Sequence, residues 1–101
     1  MVRREGYTIS LEGPVTIHNV VAMTRQGISF IEKHPLVIDL ANITEVDSSI
    51  VSMLLEWLRE SNRQGCRLDF INIPDNLHSL MELYGVSAFF FRNRNNDNAA
   101  D

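Results

Sequence analysis

The chain has 101 residues, enough for one small domain with one modest core. Its net charge of −4 excludes the basic face that a duplex nucleic-acid binder needs, and equally the polybasic patch of a membrane-surface anchor. A single cysteine, Cys66, leaves no internal disulfide framework and suits a reducing compartment. No apolar run approaches a membrane span, and residues 1–6 are too short and too quickly polar for a secretory signal. The expectation is a cytoplasmic protein without direct membrane insertion, which reaches any membrane system by docking to another protein.

Residues 7–11 alternate, with Tyr7, Ile9 and Leu11 on one side, and predict a half-buried strand. Glu12-Gly13-Pro14 is a turn signal. Residues 15–17 read as a second short strand or as the lead into a helix, with Thr16 as N-cap and Asn19 as a weak capping-box partner. From His18 to His34 the apolar residues Val20, Val21, Met23, Ile28, Phe30 and Ile31 fit a helix with one buried side. Gly27 is a flaw in it, worth about 1 kcal/mol against alanine, and Pro35 ends it.

Residues 36–41 are dense in Val, Ile and Leu and predict a buried central strand, whose Asp39 needs loop amides to satisfy it. A polar loop follows, then Asp47-Ser48-Ser49 at a capping position, then a helix over residues 48–63 with Gly65 as its C-terminal stop. Residues 67–73 predict another strand. Pro74-Asp75-Asn76 starts a third helix that Gly85 stops. Residues 86–91 are a last strand or a short helix. Phe89-Phe90-Phe91 supplies terminal packing or, if uncovered, a sticky patch that invites a homodimer. The Asn-rich stretch over residues 92–101 has nothing to bury, so the domain is expected over 1–91 with a disordered tail. Alternating strands and helices predict an α/β fold, a small sheet with helices packed against it.

Several chemistries lack their residues. There is no phosphate-binding Gly-x-x-x-x-Gly-Lys-Ser/Thr loop and no Gly-x-Ser-x-Gly nucleophile elbow. His18, His34 and His78 lie on separate elements and form no zinc spacing. No catalytic group, metal or cofactor is expected. On helix 48–63, Val51, Leu54, Leu55 and Leu58 make a core face. Ile50, Met53 and Trp57 extend the apolar arc beyond it, either under a neighbouring helix or as an exposed patch anchored by Trp57.

An aspartate in a hydrophobic strand, a loop, then Val46-Asp47-Ser48-Ser49 and an apolar helix resembles the STAS domain, the fold of bacterial anti-anti-sigma factors. The resemblance runs from about residue 6 to residue 91 and implies a small, mixed, mostly parallel sheet with helices against it. It implies a non-enzymatic domain that works by protein contact. In anti-anti-sigma factors the serine directly after the aspartate is phosphorylated by a partner kinase, which here matches Ser48, with Ser49 beside it. That pattern has glycine where this chain has Ile50. The small STAS subunit of the Mla-type phospholipid ABC transporter is the nearer subgroup, and it implies docking on the transporter's ATPase subunit through the hydroxyl that matches Ser48; with the apolar arc of the helix added, the expected docking face is Asp47, Ser48, Ser49, Ile50, Met53 and Trp57. The alternative partner is an anti-sigma factor kinase that phosphorylates Ser48. The residue chemistry alone leaves open that Asp47 and Ser48 only cap a helix.

Overall fold

A computed structural model describes residues 1–90. Strand β1 (Val2–Glu5) and strand β2 (Thr8–Val15) form a hairpin. Helix α1 (Val20–Phe30), strand β3 (Leu36–Val46), helix α2 (Ser49–Gln64), strand β4 (Leu68–Ile71) and helix α3 (Asp75–Leu83) follow. The strands lie in the order β1-β2-β3-β4; β1 is antiparallel to β2, and the other two pairings are parallel. The predicted α/β fold with a mixed, mostly parallel sheet is therefore what forms.

Alternate strand residues explain the layering. Ile9, Leu11, Leu36, Ile38, Leu40 and Leu68 are buried, whereas Thr8, Ser10, Val37, Asp39 and Asp69 between them are half-exposed. Successive side chains point to opposite faces, so one face carries the core and the helices, and the other faces water. Met23 of α1, six residues of α2 and Leu77 and Met81 of α3 complete that core.

Four boundaries differ most from expectation. Residues 2–5 were not recognisable as a strand because Val2-Arg3-Arg4-Glu5 has no apolar alternation; pairing with β2 makes them one. The Gly13-Pro14 turn signal is absorbed into β2. Gly13 takes φ +80°, and the register with β3 shifts on both sides of it, while Pro14 lies past the end of β1, where its missing N–H costs no bond to that strand. The central strand does not stop near Ala41 but runs to Val46, paired to β2 along its length and to β4 only as far as Asp39. Helix α1 also ends at Phe30, before Pro35 can act, because Ile31 is already extended and its side chain is buried. Residues 87–90 are helical, which resolves the strand-or-helix alternative there. Phe91 and the expected tail over 92–101 lie outside the described residues.

The crossing of α1 on α2 overturns the reading of Trp57 as an exposed anchor. Trp57 is 0% exposed, and its indole Nε1–H donates to the Thr24 carbonyl at 3.1 Å. A Cβ built on Gly27 would stand 2.1 Å from two of its ring carbons. Gly27 is thus the seat of the ring rather than a flaw, since only a residue without a side chain lets the helices approach this closely. Ile50 and Met53 are likewise buried, at 0% and 1% exposure. The neighbouring helix and sheet cover the whole apolar arc, so these three residues offer no accessible patch.

Candidate functional site

The carboxyl ends of β2 and β3 bring the starts of α1 and α2 together, and Asp47 ties them. Its Oδ2 accepts from the backbone N–H of Ile17 at 3.0 Å. Its Oδ1 accepts from the Ser49 N–H at 2.9 Å and also from the Ser49 hydroxyl. Of the residues expected at the capping position, Asp47 therefore does the capping. Ser48 is already helical, at φ −61° and ψ −18°, and its side chain makes no cap hydrogen bond. The Ile50 N–H is taken by the Asp47 carbonyl and the Val51 N–H by that of Ser48, so the first turn is tight and its amides are engaged.

The start of α1 is built in a matching way. Asn19 Oδ1 accepts from the Thr16 N–H at 3.0 Å, and Thr16 Oγ1 accepts from the His18 N–H at 3.3 Å. This reciprocal arrangement holds residues 16–19 as a turn, and the exposed His18 comes beside Asp47.

These contacts hold the Asp47 carboxyl below its ordinary value: the Ser49 hydroxyl contributes most and the Ile17 N–H next, desolvation opposes them, and the Ser49 N–H and the charge of His18 add smaller lowering effects. A lowered value means that the stability contributed by the carboxylate is complete above about pH 4 and lost as pH falls through the folded-state value. Urea midpoints measured at pH 7 and pH 3 should accordingly drop further for the native chain than for Asp47→Asn. Equal drops would show that the link is not an ionised one.

The predicted site residues therefore separate. Asp47, Ser48 and Ser49 are together at the surface, Ser48 exposed and Ser49 half-buried with its hydroxyl committed. Ile50, Met53 and Trp57 point inward. In their place the fold exposes Ile17, at 72%, and Val21, at 62%, although the sequence pattern puts Val21 on the buried side of its helix. The available signal was an isoleucine in a polar turn, followed by a Val20-Val21 pair of which one helix face can bury only one. Asp39, by contrast, is satisfied much as expected, accepting from the Ala41 N–H at 3.0 Å and from Asn72 Nδ2 at 3.1 Å.

Charge is unevenly shared. No Lys or Arg occurs between residues 34 and 58, or between 68 and 90, so this end of the sheet carries Asp39, Glu45, Asp47 and Asp75 with His18 as its nearby titratable base. Elsewhere, a cavity of about 230 Å³ lies between the end of α2, the start of β4 and Phe89-Phe90. Leu58 on its wall is about 15 Å along α2 from Ser48. Cys66 beside it donates its thiol to the His34 carbonyl at 3.0 Å, and burial pushes that thiol up, away from a reactive thiolate. Among the described residues no cluster could hold a metal ion, and no helix is long and apolar enough to cross a membrane.

The family model described as Mlab, STAS domain, matches residues 2–91. Among solved structures the chain resembles the anti-sigma factor antagonist SpoIIAA in its unphosphorylated form, with a TM-score of 0.69 at 17% identity over 85% of this chain and 80% of that one. It also resembles a sulfate transporter family protein from Wolinella succinogenes (TM-score 0.63, 16% identity, 78% of this chain and 66% of that one). A third similar structure, Mglu, gives a TM-score of 0.60 at 20% identity over 76% of this chain and 20% of the other. At these identities the structures speak for the fold alone. No curated protein sequence matches the chain significantly.

Proposed function

The chain belongs to the STAS domain family, whose fold serves regulatory protein contact, and from that premise we propose that it is the non-enzymatic subunit that docks on the ATPase of a phospholipid-transporting ABC system and stabilises or tunes it. The docking face is Ser48 with Asp47 and Ser49 behind it and Ile17 and Val21 flanking it. The observation that carries this reading is the exposed Ser48 hydroxyl, free of any capping bond, next to Asp47, to which the exposed Ile17 is tied, with the exposed Val21 about one helical turn further along the chain. Interfaces draw their energy from apolar groups that a partner can desolvate, with a polar group fixing the register. The Mlab description of the matching model supports the choice of transporter. It also supports a cytoplasmic placement, at the inner membrane through the partner.

Co-purification with the ATPase subunit encoded alongside this chain tests the reading. Ser48→Ala should retain the complex, and Ser48→Glu should weaken it at least ten-fold, because a carboxylate would have to be desolvated at the contact. Ser48→Glu binding as tightly as the native chain would reduce Ser48 to a helix-start residue.

A second reading, a switch phosphorylated on Ser48 by an anti-sigma kinase, draws support from Ile50. The family's glycine is replaced here by a side chain that is fully buried, so it does not obstruct a partner approaching Ser48. With the first-turn amides engaged and Asp47 adjacent, a phosphate on Ser48 would be repelled outward into the docking face rather than tucked against the helix. A mass gain of one phosphate on Ser48 after incubation with such a kinase and ATP would favour this reading; none would remove it.

A further inference from the structure

Strand β3 outruns its neighbour. Its pairing with β4 ends at Asp39 opposite Ile71, whereas its pairing with β2 continues to Val46. Along residues 40–46 one edge of β3 therefore has no strand beside it. Ala41, Asn42, Thr44 and Glu45 are exposed there. Apart from the Ala41 N–H, which Asp39 accepts, no described residue off β2 is hydrogen-bonded to this segment's backbone. A row of open backbone donors and acceptors is a template for one kind of ligand, an extended chain that completes the ladder.

We infer that this edge receives an extended, Lys- or Arg-bearing segment of the docking partner as an added strand. The inference rests on the docking reading, because the edge leads directly into Asp47 and Ser48. Charge selects the occupant. Asp39, Glu45 and Asp47 lie at or within the edge, and no Lys or Arg occurs between residues 34 and 58, so an anionic segment is repelled and a cationic one drawn in. A second copy of the chain fits poorly: its own residues 40–47 carry Glu45 and Asp47 and no Lys or Arg, so it brings only like charge to this edge. Glu45, near the end of the edge that leads into Asp47, thus excludes casual strand pairing and admits a complementary one.

Amide hydrogen exchange on the full chain tests this. The probe is a nine-residue peptide of alternating lysine and valine, with a glutamate-for-lysine peptide and a lysine peptide N-methylated along one edge as comparisons. The lysine peptide should slow exchange at least ten-fold at alternate amides within residues 40–46, since every second N–H of a strand faces the same side. The two comparison peptides should not, and Glu45→Lys should weaken the lysine peptide about ten-fold. Unchanged exchange over 40–46, or equal protection by the glutamate peptide, overturns the inference. Protection that appears without peptide and rises with protein concentration reassigns the edge to a second copy. Docking of the ATPase with no strand addition at 40–46 sinks this inference alone. Strand addition by the peptide with no ATPase docking sinks the function reading alone.

Discussion

Gly27→Ala should lower the stability of the domain by about 3 kcal/mol, and its melting temperature by roughly 10 °C or more. In an open helix position the same change would raise stability by about 1 kcal/mol, because alanine is the better helix former. Here the added methyl would stand 2.1 Å from two ring carbons of Trp57, and that ring has no free direction: it is fully buried and held by its bond to the Thr24 carbonyl. The helices must part or the indole must leave its rotamer, and either loses more than propensity gains. Thermal or urea unfolding reads the sign. A double-mutant cycle with Trp57→Leu should recover part of the loss, since the smaller side chain vacates the space. A rise in melting temperature for Gly27→Ala alone would mean that α1 and α2 do not cross so closely.

Ile17→Asp combined with Val21→Asp should weaken docking about a hundred-fold or more while leaving the fold nearly as stable. Both side chains are mostly in water, so replacing them changes stability little, within roughly 0.5 kcal/mol each. At a docked surface each would be an apolar contact worth about 1–2 kcal/mol, now turned into a charge without a partner. Met53→Ala is the informative contrast. Its side chain is 1% exposed, so it should cost about 2–4 kcal/mol of stability and leave the affinity of the folded protein for the ATPase unchanged. Titration calorimetry, with unfolding curves for each variant, separates the two effects. Unaltered docking by the Ile17 and Val21 variant would move the contact off this face.

The cavity wall formed by Leu58, Cys66, Leu68 and Phe90 and the capped starts of α1 and α2 lie at different places on the core, and of the two only the latter unite an exposed hydroxyl with exposed apolar groups. That difference directs the experiments to Ser48, Ile17 and Val21.

Local periodicity sufficed for the order of the elements from β2 onward and for much of the core. The alternation around Ile9 and Leu11, the buried run of β3, the stop at Gly65 with its φ of +74° and the helix after Pro74 are effects within a few residues, and they survive folding unchanged. The placement of Asp47, Ser48 and Ser49 at the start of α2 is local in the same sense. Which apolar residues remain at the surface is not, because a helix face does not state what will cover it. The approach of α1 across Gly27 buried Trp57, Met53 and Ile50 are enclosed by the core, and the Ile17 amide reached Asp47 across thirty residues of chain. The extent of β3, and hence its open edge, depended on where β2 and β4 stop beside it. Burial and edge exposure are properties of neighbours in space, and a pattern read along one chain carries no record of them.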